Sequence, residues 1–283
     1  MIIARIFGGL GNQLFQYATA RALAKRACAP LWLDIRLAPP GDHWEFALNH
    51  FAIEAKIAQP GELPPDKNSK LRYAAWRYLG GSPKFTRERG LGFNENILSL
   101  RGDVYLHGYF QSERYFEDFP GLRQELTIKT PPSDENRRWA DDIRAVPSVS
   151  LHLRRGDYLT AKGAGSHASC DAAYYERALN HVAEKMDAEP KVFVFSDDPD
   201  WARDNLKLPF EMRVAGHNGS DKHYEDMRLI SICRHNIIAN STFSWWGAWL
   251  NDNPDKVVVA PKVWFANPKL ANPDITPESW IRL

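Results

Sequence analysis

The sequence predicts an α/β protein built on mostly parallel sheets, and three observations carry that expectation. Short apolar strands alternate with helical stretches through the second half of the 283 residues, the order that gives parallel strands joined by right-handed crossovers. The chain also opens on a strand, a glycine-rich turn, a helix and a second strand. Finally, several strands end on polar or charged residues, and in an open α/β sheet the carboxyl ends form the edge where ligands sit.

A chain of this length suits one large domain or two of moderate size. Hydrophobic residues make up 44% and charged residues 25%, an ordinary soluble balance. A formal charge of +1 argues against a general nucleic-acid binder, whose footprint is a basic surplus. Ten tryptophans are many. Indoles pack cores, but they also stack on sugars and bases, so they favour a carbohydrate or nucleotide ligand. Cys28, Cys170 and Cys233 have no metal-ligand spacing and read as reduced thiols. There is no secretory leader and no apolar run of membrane-spanning length, so a cytoplasmic protein is expected, with peripheral membrane association left open.

Taken in order, residues 2–7 form a strand that runs into Gly8-Gly9-Leu10-Gly11-Asn12-Gln13, followed by a helix over 14–27 and a strand over 31–35. Phe15, Ala18 and Ala22 hold one helix face. The turn lets a ligand approach the backbone and meet the helix's positive end. It lacks the third glycine of a dinucleotide fingerprint, and a tight structural turn explains it as well. Asn12 and Gln13 can cap the helix or hold sugar hydroxyls. Residues 39–101 contain loops at Pro60-Gly61 and Pro64-Pro65 and a basic, aromatic helix over 70–78, which suits an acceptor-binding elaboration or a surface insertion. A strand is expected over 103–110, then a helix starting near Ser112. A charged helix runs through Arg144, and Pro147 closes it. The domain boundary falls there, dividing 1–146 from 147–283.

The second half is more regular. Val149, Leu151 and Leu153 share one face of a strand, and Ser150, His152 and Arg154 the other. Arg155, Gly156 and Asp157 then turn the chain. Further strands over 191–195, 210–215, 235–239 and 256–260 end on Ser196-Asp197-Asp198, Gly216-His217, Asn240-Ser241-Thr242 and Pro261, the last taken as the final strand. Helices are expected over 172–186, 223–234 and 243–252.

These endings suggest chemistry. A planar, permanently charged fork such as Arg154 suits an anion like a diphosphate, although an exposed ion pair would look the same. Ser241, Thr242 and Ser244 open a helix, where hydroxyls and unpaired N–H groups receive phosphate oxygens or form a cap. Asp197 can accept from a guanine edge or cap the following helix. Asp198-Pro199-Asp200 fits a metal-holding Asp-x-Asp triplet, but reads better as a helix start. The tryptophans at 245, 246 and 249 suit packing of a helix on the sheet.

The segments Gly8 to Ala18, His152-Leu153-Arg154-Arg155-Gly156-Asp157, Phe195-Ser196-Asp197-Asp198 and Ile237 to Leu250 together resemble the α-1,2-fucosyltransferases of glycosyltransferase family 11. The resemblance implies two Rossmann-like domains facing a cleft (GT-B type), the N-terminal one on the acceptor side and the C-terminal one binding GDP-fucose. It implies inverting, metal-independent transfer of L-fucose from GDP-β-L-fucose to the 2-hydroxyl of a galactose-type acceptor, with no cofactor. The acceptor is an oligosaccharide or a glycolipid-linked glycan. Within that reading Arg154 holds the diphosphate with Ser241 and Thr242, and Asn240 and Phe243 flank them. Asp197 meets guanine beside Ser196, while Gly11 and Asn12 serve the fucose–phosphate region. His152 lines the same pocket. Asp157 accepts the hydroxyl proton or orients an arginine. Two rivals stay open: a metal-dependent nucleotide-sugar transferase using Asp198 and Asp200, and a non-catalytic sugar- or nucleotide-binding module.

Overall fold

β1 (Ile2–Phe7), α1 (Leu10–Arg26) and β2 (Leu31–Leu37) form the expected opening βαβ unit. The structure is a computed structural model that describes residues 1–41, 44–65, 70–79, 83–155 and 170–283. It divides into two compact units, Met1–Lys129 and Thr130–Leu283.

The first unit continues with β3 (Lys56–Ile57), α2 (Lys70–Leu79), β4 (Lys84–Arg87), β5 (Val104–His107) and α3 (Leu122–Glu125). Its strands lie in the order β3-β2-β1-β5-β4 and every pair is parallel. β1 is therefore central, and the order reverses beside it. The helix after it begins at Leu10 rather than 14, because Gly8 takes a φ of +75° and turns the chain at once. α1 is buried on nearly every side, not on one face, since sheet and loops enclose it. Gln16 is part of that enclosure: it accepts from the Phe7 N–H at 3.0 Å and donates to the Phe7 carbonyl at 3.1 Å.

Two expectations need correction here. β5 stops at His107, because the Glu88 carboxylate accepts the N–H groups of Tyr109 at 2.7 Å and Phe110 at 2.9 Å and draws the chain out of the ladder. The helix expected from Ser112 is a single 3₁₀ turn, Glu113–Tyr115, with Ser112 as its cap. The basic, aromatic helix was legible. β3 and β4 were not.

The second unit contains α4 (Asp134–Arg144), β6 (Ser148–Leu153), α5 (Ala172–Ala183), β7 (Lys191–Ser196), α6 (Pro199–Asn205), β8 (Met212–Val214), α7 (His223–Ser231), β9 (His235–Ile237), α8 (Thr242–Leu250), β10 (Val258–Ala260) and β11 (Ile281–Arg282). The sheet order is β11-β10-β9-β6-β7-β8, all parallel. Counted from β6, this is the 3-2-1-4-5-6 order of a Rossmann sheet. β11 follows β10, which had been expected to be last; two residues carry no periodic signal.

The division at Lys129 lies upstream of the expected boundary after residue 146. The cause is α4. Its Trp139 packs edge-on against Phe193 of β7, with centroids 6.0 Å apart, and Ile143 joins the same cluster. β6 is buried on both faces, as suits a central parallel strand. Val149 and Leu151 pack against Tyr175 and Leu179 of α5. On the opposite face Ser150 Oγ accepts from Asn236 Nδ2 at 2.8 Å, and Asn236 Oδ1 accepts from Asn251 Nδ2 at 2.8 Å, so the buried polar atoms are paired. Trp245 and Trp246 are fully buried, as expected, and Trp245 Nε1 donates to the Ile275 carbonyl at 2.7 Å.

Candidate nucleotide-sugar site

β6 is the first strand of its unit, and the chain builds outward from it in both directions. The switch in strand order therefore lies between β6 and β9, the place where an open α/β sheet offers a crevice at its carboxyl edge. Three polar endings meet there. Leu153 of β6 is in register with Ser196 of β7, and Leu151 with Ile237 of β9. Just past these pairs, Arg154 Nη1 lies 3.2 Å from Asp197 Oδ2. The Arg155 N–H donates to Asp197 Oδ1 at 2.9 Å. On the other side, His152 rests against Phe243 of α8, with ring centroids 5.7 Å apart.

Each part has a local cause. Ser196 Oγ accepts from the Asp198 N–H at 3.0 Å and shapes the turn after β7. Asp198 caps α6 by accepting from the Trp201 N–H at 3.2 Å, with Pro199 at the first helical position, so the helix-start reading of Asp198-Pro199-Asp200 holds. Asp198 also faces Arg155 at 3.7 Å, and Asp200 pairs with Arg203. Both carboxylates of the triplet thus have protein partners. Asp197 does not cap the helix: its carboxylate meets the Arg154 guanidinium and the Arg155 backbone. Arg155 itself lies flat on Trp201, its guanidinium carbon 3.4 Å from the ring centroid.

Ser241 is the N-cap residue of α8, yet its side chain makes no cap hydrogen bond. Thr242 and Phe243 follow in the first turn and are half-buried. Asn240 is 2% exposed and turned inward, donating from Nδ2 to the Trp264 carbonyl at 2.9 Å, so it fixes the chain beyond β10. His152 is 4% exposed; burial, and then the Arg154 charge, push its pKa down to about 4. Its ring is neutral at neutral pH, and Nδ1 has no hydrogen-bond partner among the described residues. Arg154, in contrast, remains 22% exposed at the edge. A guanidinium carries five donors, enough to serve a carboxylate and a phosphate together.

Two residues that position this edge had no signal in the sequence. Tyr175 Oη donates to the His152 carbonyl at 3.0 Å, and Tyr174 Oη to the Ile238 carbonyl at 2.6 Å, stitching α5 to the ends of β6 and β9. Asp157 lies outside the described residues. Gly11 and Asn12 belong to the first unit, where Gly11 is buried in the first turn of α1. Asn12 Oδ1 accepts from Gln111 Nε2 at 2.9 Å, and a Cβ on Gly8 would stand 3.0 Å from Asn12 Nδ2.

A family model described as glycosyl transferase family 11 matches residues 84–283. The chain belongs to that family. Curated relatives agree. An α-1,2-colitosyltransferase of Escherichia coli is 30% identical over 100% of this chain and 99% of its own length. The O-antigen biosynthesis glycosyltransferase WbnK of Escherichia coli is 42% identical over 98% of each. A galactoside α-(1,2)-fucosyltransferase 2 of Bos taurus is 26% identical over 86% of this chain and 67% of its own. Among solved structures, Arabidopsis thaliana FUT1 in complex with GDP is similar with a TM-score of 0.52 and 12% identity, covering 91% of this chain and 69% of that one. That likeness is one of fold, and with the two parallel sheets it places this family 11 member in the GT-B class. It is a glycosyltransferase of the fucosyltransferase type.

Proposed function

We propose that this family 11 protein transfers L-fucose from GDP-β-L-fucose to the 2-hydroxyl of a galactose-type acceptor with inversion, giving an α-1,2 linkage. The observation that carries the proposal is Arg154, held by Asp197 at the end of β6, the strand whose His152 rests against Phe243 of α8 at the switch in strand order. In the transition state negative charge gathers on the leaving diphosphate while the fucose ring becomes positive. Arg154 supplies a fixed cation for the first, and the α8 start with Ser241 and Thr242 supplies oriented donors. Asp197 is then a positioning residue: it aims Arg154, which makes the guanine role expected for it secondary. His152, neutral and nearly buried, walls the pocket and supplies no charge to the diphosphate. Asp157 is retained as the proposed proton acceptor.

Colitose is a second donor reading, favoured by the colitosyltransferase relative; this sugar is L-fucose without its 3-hydroxyl. The metal-dependent rival is disfavoured because Asp198 caps a helix and Asp200 pairs with Arg203. Among the described residues no helix is long and apolar enough to cross a membrane, and we place the reaction on a free or lipid-linked oligosaccharide in the cytoplasm.

The test is to incubate the purified protein with GDP-fucose and lactose in excess chelator and analyse the linkage of the product. The expected result is acceptor-dependent GDP release and an α-1,2-fucosylated galactose. Transfer that chelator abolishes would favour the metal-dependent rival, and no release with any acceptor would favour a binding module. A preference for the GDP-linked 3-deoxy sugar would make colitose the donor.

A further inference from the structure

We propose that the first unit docks on an anionic lipid surface through α2 and the strand it leads into, β4; the inference stands without the transfer reaction above. Leu71 and Tyr78 of α2 are 86% and 78% exposed, well beyond the next large apolar residue among the described ones, Val263 at 55%. One apolar side chain in water is ordinary. These two stand about two turns apart on one helix, so they fall on one stripe, and the exposed Ala75 lies between them. The opposite side of α2 carries Tyr73 and Trp76, both half-buried, with ring centroids 5.9 Å apart. The helix therefore keeps its indole against protein and leaves a leucine outward.

The surrounding charge says which medium meets that stripe. The sequence over 70–89 holds six basic residues, Lys70, Arg72, Arg77, Lys84, Arg87 and Arg89, against one acid, Glu88, in a chain whose whole formal charge is +1. Glu88 does not offset them at the surface, since its carboxylate turns inward to accept from the Tyr109 and Phe110 N–H groups. Arg72, Lys84, Arg87 and Arg89 are exposed.

Basic residues on β4 alone would have a plainer use, because β4 is an edge strand and charge there keeps edges from pairing. That use leaves Leu71 and Tyr78 unexplained. A nucleic acid would take the charge and have no place for the leucine. A second copy of this chain would cover the leucine but bring the same positive field against it. Anionic lipid satisfies both features. The apolar stripe enters where headgroups meet acyl chains, and the basic residues stay in the headgroup layer and meet its charge. The contact is a surface one, since α2 has ten residues and a span needs about 20.

Flotation of the intact protein with vesicles tests this. It is expected to float with vesicles of equal parts phosphatidylcholine and phosphatidylglycerol, to stay behind with pure phosphatidylcholine, and to be released by high salt. Leu71→Ser with Tyr78→Ser should weaken binding to the anionic vesicles by about ten-fold or more. Lys84→Gln, Arg87→Gln and Arg89→Gln together should weaken it by about 10²-fold, a factor of about five for each charge. All five side chains are exposed, so both variants should unfold at the wild-type temperature. Wild-type protein that ignores the anionic vesicles would overturn the proposal, and so would binding that either set of substitutions leaves intact. A dimer in sedimentation velocity that Leu71→Ser with Tyr78→Ser dissociates would overturn it by giving the stripe to a second copy. Oligonucleotide binding lost with the basic set, in protein that leaves the vesicles alone, would overturn it by giving the charge to nucleic acid.

Discussion

Arg154→Ala should give a folded protein whose transfer rate falls by about 10²–10³-fold, the usual cost of removing one preorganised donor from a developing anion. The loss should appear in kcat more than in the KM of the acceptor, because the charge on the leaving diphosphate peaks in the transition state. The fold should survive, since Arg154 is 22% exposed and its principal partner, Asp197, is 20% exposed and keeps the Arg155 N–H. Arg154→Lys should recover little, because an ammonium cannot span a carboxylate and a phosphate as a planar fork does. Turnover within a few-fold of wild type would remove Arg154 from the reaction.

Arg21→Met should destabilise the protein by about 3–5 kcal/mol, the cost of leaving one member of a buried ion pair uncompensated. Arg21 on α1 holds Glu125 of α3 through Nε at 2.8 and 2.9 Å and Nη2 at 2.7 Å, and both side chains are 10% exposed. Glu125 also accepts from the Tyr17 hydroxyl, whose pKa is pushed up by burial and then by that bond. The same hydroxyl accepts from the Glu54 N–H at 3.0 Å, and the Glu54 carboxylate pairs with Arg21. Removing the guanidinium strands the Glu125 carboxylate against a tyrosine that ionises only with difficulty. Urea unfolding should show the loss, and Arg21→Met combined with Glu125→Leu should return much of it. A single variant within 1 kcal/mol of wild type would mean the network relaxes without cost.

How much of this could be read beforehand depended on the physics of each element. β6 ends at Leu153, short of the end at Arg154–Arg155 that alternation had indicated, and the strand endings converged because every strand of a parallel sheet points the same way. α6 began at Asp198-Pro199 because cap and proline preferences are local. The partnership of Arg154 with Asp197 was hidden, since it joins the ends of two strands and leaves no periodic trace. For Asp197 the sequence offered guanine or a helix cap, and the structure adds the arginines that no local signal pointed to. Tyr174 and Tyr175 were equally silent, as their hydroxyls seek backbone carbonyls of distant strands. β3 and β11 are two residues each, and β4 offers only Phe85 as an apolar signal. The domain boundary shifted because a charged helix, α4, buries Trp139 and Ile143 in the second unit.

The central claim is that GDP sits on the carboxyl edge between β6 and β9. Amide hydrogen exchange with and without saturating GDP, read peptide by peptide, tests it most directly. The account expects slowed exchange concentrated in residues 152–155 and 240–244, weakening sharply in Arg154→Ala. Protection that appeared elsewhere in the chain and left both segments unchanged would contradict it.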